Sequence, residues 1–134
     1  MAYMKFKELT KYFNFKREII DEKELPEYAK EYIELGEKFA LAYMNSKDFV
    51  VFTDKKMLLF DRDSLGMYYK KIHVIPYSSI STSAINFKPN LVELLFSLDS
   101  GYQLHLNFVE MDHDKKERLK QVHKLMMHIK TMRL

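Results

Sequence analysis

The sequence predicts a mainly β fold: a seven-stranded antiparallel sandwich or partly open barrel, capped by a C-terminal helix and preceded by a helical N-terminal segment. Three observations predict it. Apolar residues alternate with period two in seven short runs between residues 38 and 109. The breaks between these runs carry turn residues and are too short for the crossover helices that parallel pairing needs. The chain then ends in a run whose apolar residues recur every three or four positions.

The N-terminal segment comes first. "MKFKELTKYFNF" puts Phe6, Leu9 and Phe13 at helical spacing, so a first helix is expected there. "KREIIDEKE" reads as a loop. "ELPEYAKEYIELGEK" reads as a second helix, with Pro26 in its first turn, Tyr28, Tyr32 and Leu35 along one side, and Gly36 as its C-terminal cap. Residues 1–36 are thus expected to form a helical extension and residues 37–134 the β domain.

The strands follow in order: "KFALAYMN", "KDFVVFT", "MLLFDR", "YYKKIHVIP", "ISTSAINF", "VELLFSL" and "YQLHLNFV". Asn45-Ser46, Asp54-Lys55, Asp63 to Gly66, Pro76 to Ser79, Pro89-Asn90 and Ser100-Gly101 separate them. In the last strand Tyr102, Leu104, Leu106 and Phe108 share one face, and Gln103, His105 and Asn107 the other, so one side is buried and one is wet. "FVVFTDKKMLLF" is a hairpin tipped by Asp54-Lys55. Lacking glycine, its turn is expected to carry a bulge. The final helix is expected over residues 114–132, with Asp114 and Glu117 as a capping box. Leu119, Val122, Met126 and Ile129 form its apolar stripe.

Composition bounds the function. The chain has 134 residues, is 47% hydrophobic and 31% charged, and is expected to fold as one globular unit. It has no cysteine, which excludes a disulfide framework, a thiolate metal site and a cysteine nucleophile. "MAYMKFKELTK" lacks the apolar run of a signal peptide, and "FALAYM" is too short to cross a bilayer, so a cytoplasmic location is expected. Residues 115–134 hold seven basic side chains against one acidic one, which concentrates the positive charge at the C-terminus.

"DFVVFTDKKMLLFD" resembles the second and third strands of bacterial pleckstrin-homology (PH) domains, "IPYSSI" resembles their Ile-Pro-Tyr-x-x-Ile element, and "ELGEKF" is similar to their entry into the first strand. The resemblance runs from about Leu35 to Ile129 and implies the PH-like layout of seven antiparallel strands and one closing helix. It implies fold better than function, because the superfold hosts unrelated roles and some bacterial members look like assembly modules.

No catalytic, cofactor-binding or metal-binding residues are expected. His123 and His128 are spaced about 140° apart on a helix, too far to share a metal. With three glycines there is no Gly-rich phosphate loop. Lipid-binding PH domains gather cations around the first hairpin loop, but here that loop is only "NSK", with Lys47. Lys116, Lys120 and Lys124 are the candidate contacts to an anionic membrane or ligand, by diffuse attraction. Tyr3, Phe6, Leu9, Tyr12, Phe13 and Phe15 crowd the N-terminal segment and are the candidate interface. The partner expected is a second copy of the chain or another protein. Nucleic acid and a small-molecule substrate are not expected.

Overall fold

A computed structural model describes residues 10–46, 48–61 and 71–131. Its strands are β1 (Thr10–Phe15), β2 (Arg17–Ile19), β3 (Phe39–Met44), β4 (Phe49–Thr53), β5 (Lys56–Asp61), β6 (Lys71–Pro76), β7 (Ile80–Lys88), β8 (Leu91–Leu98) and β9 (Gln103–Val109). Two helices, α1 (Glu27–Lys30) and α2 (His113–Thr131), and two 3-10 turns, Glu22–Glu24 and Tyr77–Ser79, complete it. The seven predicted strands are β3 to β9, and every pairing among them is antiparallel. They lie in two sheets, one ordered β1-β9-β8-β7 and the other β2-β3-β4-β5-β6.

Alternation explains the main core. Val50 and Phe52 of β4, Met57 and Leu59 of β5, and Leu94, Phe96, Leu104, Leu106 and Phe108 of the facing sheet meet between the two layers. Leu119, Val122 and Met126 of α2 join them, and all three are buried. The odd-numbered partners on β4 face the other way. Phe49 and Val51, with Leu58 and Phe60, build a second core under Leu25, Ala29 and Ile33. "FVVF" is apolar on both faces because both faces are covered.

The N-terminal segment departs from expectation. Residues 10–15 form a strand, not a helix, and β1 pairs with β9 in parallel. Phe13 fits a helical stripe with Phe6 and Leu9, but it also alternates with Phe15. The open edge of β9 and the β preference of Thr, Tyr and Phe decide for the strand. Part of the expected loop is β2, which pairs with β3. One stretch of chain, residues 10–19, therefore crosses from the first sheet to the second. The expected second helix is a single turn, which buries Ala29. Gly36 has φ +87°, a left-handed conformation that suits glycine, but it lies in the loop beyond the helix rather than capping it.

Asp54-Lys55 is a two-residue connection, with Phe52 opposite Met57. The Thr53 hydroxyl replaces the expected bulge by accepting the Lys55 and Lys56 N–H groups at 3.1 Å. The cap of α2 is Asp112 rather than Asp114, since its carboxylate accepts the Lys115 N–H at 2.9 Å. α2 lies along β7. Lys116 Nζ donates to the Lys88 and Pro89 carbonyls at 2.8 and 2.9 Å, and Lys130 Nζ to the Ser78 carbonyl at 3.3 Å. The helix thereby flanks an edge strand, one way in which sheets protect an edge. Arg118 ties it to β2, with Nε and Nη2 at 2.9 and 2.7 Å from the two carboxylate oxygens of Glu18.

Candidate functional site

Three sequence motifs converge on one point. Glu37, from "ELGEKF", is buried and accepts from Lys56 Nζ at 2.7 Å, from the Glu34 N–H at 2.9 Å and from the Thr53 hydroxyl. Thr53 and Lys56 belong to "TDKK". Tyr77, from "IPYSSI", donates its hydroxyl to the Thr53 carbonyl at 2.7 Å. Burial pushes the Glu37 carboxyl up, yet the hydrogen bonds from Lys56, Thr53 and Glu34 outweigh it and hold it below the ordinary carboxylate range. Burial also pushes the Tyr77 hydroxyl up, so it stays a donor. Every polar member is occupied by another. The knot is a brace for the hairpin.

The candidate interface residues separate. Tyr3, Phe6 and Leu9 lie outside the described residues. Phe13 and Phe15 belong to the main core, at 2% and 0% exposure. They face inward with β9 at their backs, so in this chain they hold the sandwich together. Tyr12 points the other way and is 64% exposed.

Tyr12 stands at the end of a row across the outer face of the four-stranded sheet. The register runs Tyr12, His105, Leu95, Ala84. The Tyr12 and His105 rings lie 5.1 Å apart. A shallow hollow of about 290 Å³ sits here, with Ser97, Thr82 and Gln103 along its rim. The next row is Asn14, Asn107, Glu93, Asn86. Asn86 donates to Glu93 at 2.8 Å, and His105 Nε2 lies 3.3 Å from the other Glu93 oxygen. The Asn86 hydrogen bond chiefly, with help from His105 and Lys88, holds the Glu93 carboxyl below its usual range. The outer face of the five-stranded sheet is covered by residues 20–37. Among the described residues nothing covers this one. Sequence alternation marked His105 and Gln103 as wet, but Tyr12 and its partners emerge only from the pairing with β9.

The sequence profile of the bacterial PH domain matches residues 9–130. The chain belongs to that family. It is 30% identical over 76 residues to the uncharacterized protein YjqA of Bacillus subtilis, spanning 57% of either chain. Among solved structures it is similar to a DUF1696 family protein with a pleckstrin-homology domain from Shewanella loihica, with a TM-score of 0.65, 21% identity and 85% and 96% of the two chains covered. It is also similar to a PH domain containing protein from Exiguobacterium sibiricum, with a TM-score of 0.66, 18% identity and 87% of this chain covered against 62% of the other. At such identity these two likenesses show the fold alone.

Around the first hairpin loop the described cations are Lys16, Arg17 and Lys115. Lys47 lies outside the described residues. Lys16 and Arg17 flank the nearby corner, but Lys16 pairs with Glu110 at 3.1 Å. Of the candidate helix lysines, Lys116 is spent on the carbonyls of the β7–β8 turn and Lys120 lies 3.7 Å from Glu117. Lys124 alone of the three is exposed with no such contact. Among the described residues no three acidic or histidine side chains could hold a metal, and no helix is long and apolar enough to cross a membrane. His123 is half-buried against Ser83, 2.9 Å from its hydroxyl, and burial lowers its pKa.

Proposed function

We propose that this PH domain is a non-enzymatic interaction module that associates with copies of itself. The observation that carries the reading is the asymmetry of cover: one sheet has its outer face hidden by the chain's own residues 20–37, and the other, among the described residues, leaves Tyr12 and Ala84 exposed and His105 and Leu95 half-exposed. An aromatic ring beside a small apolar floor, rimmed by amides and hydroxyls, is the composition of a protein-binding patch. The inward-facing motifs support binding rather than chemistry.

Sedimentation velocity of the full chain tests it. Removing the N-terminal segment is not a usable variant, because Phe13 and Phe15 are core residues. Tyr12→Glu, at an exposed position, is. The full chain is expected to sediment as an oligomer at micromolar concentration. Tyr12→Glu is expected to shift it toward monomer while thermal unfolding stays unchanged. A full chain that remains monomeric across that range overturns the reading.

A further inference from the structure

We infer that His105 makes the Tyr12 face a pH-gated contact: protonation of its imidazole places an unmatched positive charge on the face and releases the copies that the face joins. The inference rests on the self-association reading and adds its regulation.

The face carries little charge of its own. None of the residues that line its hollow is an acid, a lysine or an arginine. His105 is the one among them that gains a proton between about pH 8 and about pH 5. In the next row, Asn14, Asn107, Glu93 and Asn86, the one acid is Glu93. The Asn86 hydrogen bond chiefly keeps that carboxyl below its usual range, so it stays ionised throughout this interval.

Glu93 is already matched. Its Oε1 accepts from Asn86 at 2.8 Å and lies 3.6 Å from Lys88 Nζ. Its Oε2 lies 3.3 Å from His105 Nε2. An ionised carboxylate can only accept, so the neutral ring carries its proton on Nε2 and the proton taken up in acid goes to Nδ1. Lys88 and Glu93 cancel while the ring is neutral, and the imidazolium leaves one positive charge over in each copy. Among the described residues the titratable groups around His105 are Tyr12 from β1, Glu93 from β8 and, through Glu93, Lys88 from β7. None of them supplies a second carboxylate to answer the new charge.

A contact between copies of this face brings two such centres together. Two unmatched imidazoliums repel, and each gives up water that hydroxyls and amides replace only in part. The joined chains therefore hold fewer protons than the free chain. By linkage, association is at full strength while His105 is neutral and weakens as falling pH protonates the free ring.

Sedimentation velocity of the full chain at about pH 8 and about pH 5.5 tests it, with far-UV circular dichroism to show the chain folded at both. An oligomer is expected at the higher pH, and association weaker by roughly tenfold or more at the lower. In His105→Gln the two pH values are expected to give equal association. In Lys88→Met the imidazolium and Glu93 cancel, so the acid loss is expected to disappear there as well. An oligomer of equal strength at both pH values overturns the gate and leaves the self-association reading standing. An acid loss that persists in either variant, or that accompanies unfolding, overturns the gate too. A chain that is monomeric at both pH values overturns both readings.

Discussion

The hydroxyl of Tyr77 donates to the main-chain carbonyl of Thr53 across 2.7 Å, inside the core. The bond joins the corner between the two sheets to the tip of the β4–β5 hairpin. Tyr77→Phe keeps the ring and removes the donor, leaving a buried carbonyl short of a partner. The expected loss is about 1–3 kcal/mol, read as a shift of the urea midpoint with an unchanged slope. A midpoint equal to that of the unaltered chain would show that the carbonyl is satisfied without Tyr77.

Lys56 and Glu37 are a buried pair, with side chains 15% and 0% exposed. Lys56→Met strands the carboxylate and is expected to cost roughly 3–5 kcal/mol, whereas adding Glu37→Gln to it should recover part of that. The Glu37 carboxyl sits below its unfolded value of 4.5, so its contribution is present above that pH and is lost as pH falls through the folded value. Acid unfolding of Glu37→Gln should therefore be shallower below pH 4.5 than that of the unaltered chain. Parallel acid limbs in the two proteins would contradict this.

Met126 is fully buried beneath α2. Met126→Ala is expected to cost roughly 2–5 kcal/mol in thermal or chemical unfolding, the range for a large-to-small core change. A loss under about 1 kcal/mol would mean the helix stripe contributes little to the fold.

His123 titrates in the opposite sense from a histidine stabilised by an acid. Burial between α2 and Ser83 lowers its pKa below 6.5, so folding favours the neutral ring. Its contribution is complete above pH 6.5 and is lost as pH falls from there through the folded value. His123→Gln should flatten the stability profile below that point. A profile unchanged by the substitution would refute it.

Much of the fold was legible in the sequence because period two and period 3.6 are local signals. β3 to β9 and α2 follow directly from "FVVF", "LHLNF" and the Leu119, Val122, Met126 stripe. The N-terminus was not legible in this way. Phe13 serves both periods, and only its partner β9, far along the chain, decides between them. Phe13 and Phe15, expected at an outer surface, became core for the same reason. The quoted motifs identified the family, but that Glu37, Thr53, Lys56 and Tyr77 form one knot depends on how the hairpin and the corner meet in space. Lys116 and Lys130 read as a basic face, yet their targets are carbonyls of a turn and a corner that carry no sequence mark.

Residues 10–19, which form β1 and β2, stitch the two sheets together, and the side-chain contact from Asn14 to Asn107 spans 93 positions. That separation orders events during synthesis. β1 precedes β9 by many residues, so Phe13 and Phe15 wait for their partner strand until β9 has been made. This contact closes a loop of 93 of the 134 positions, and contacts of such range fold slowly. Nascent copies thus share a stage at which an aromatic strand and an open β9 edge coexist.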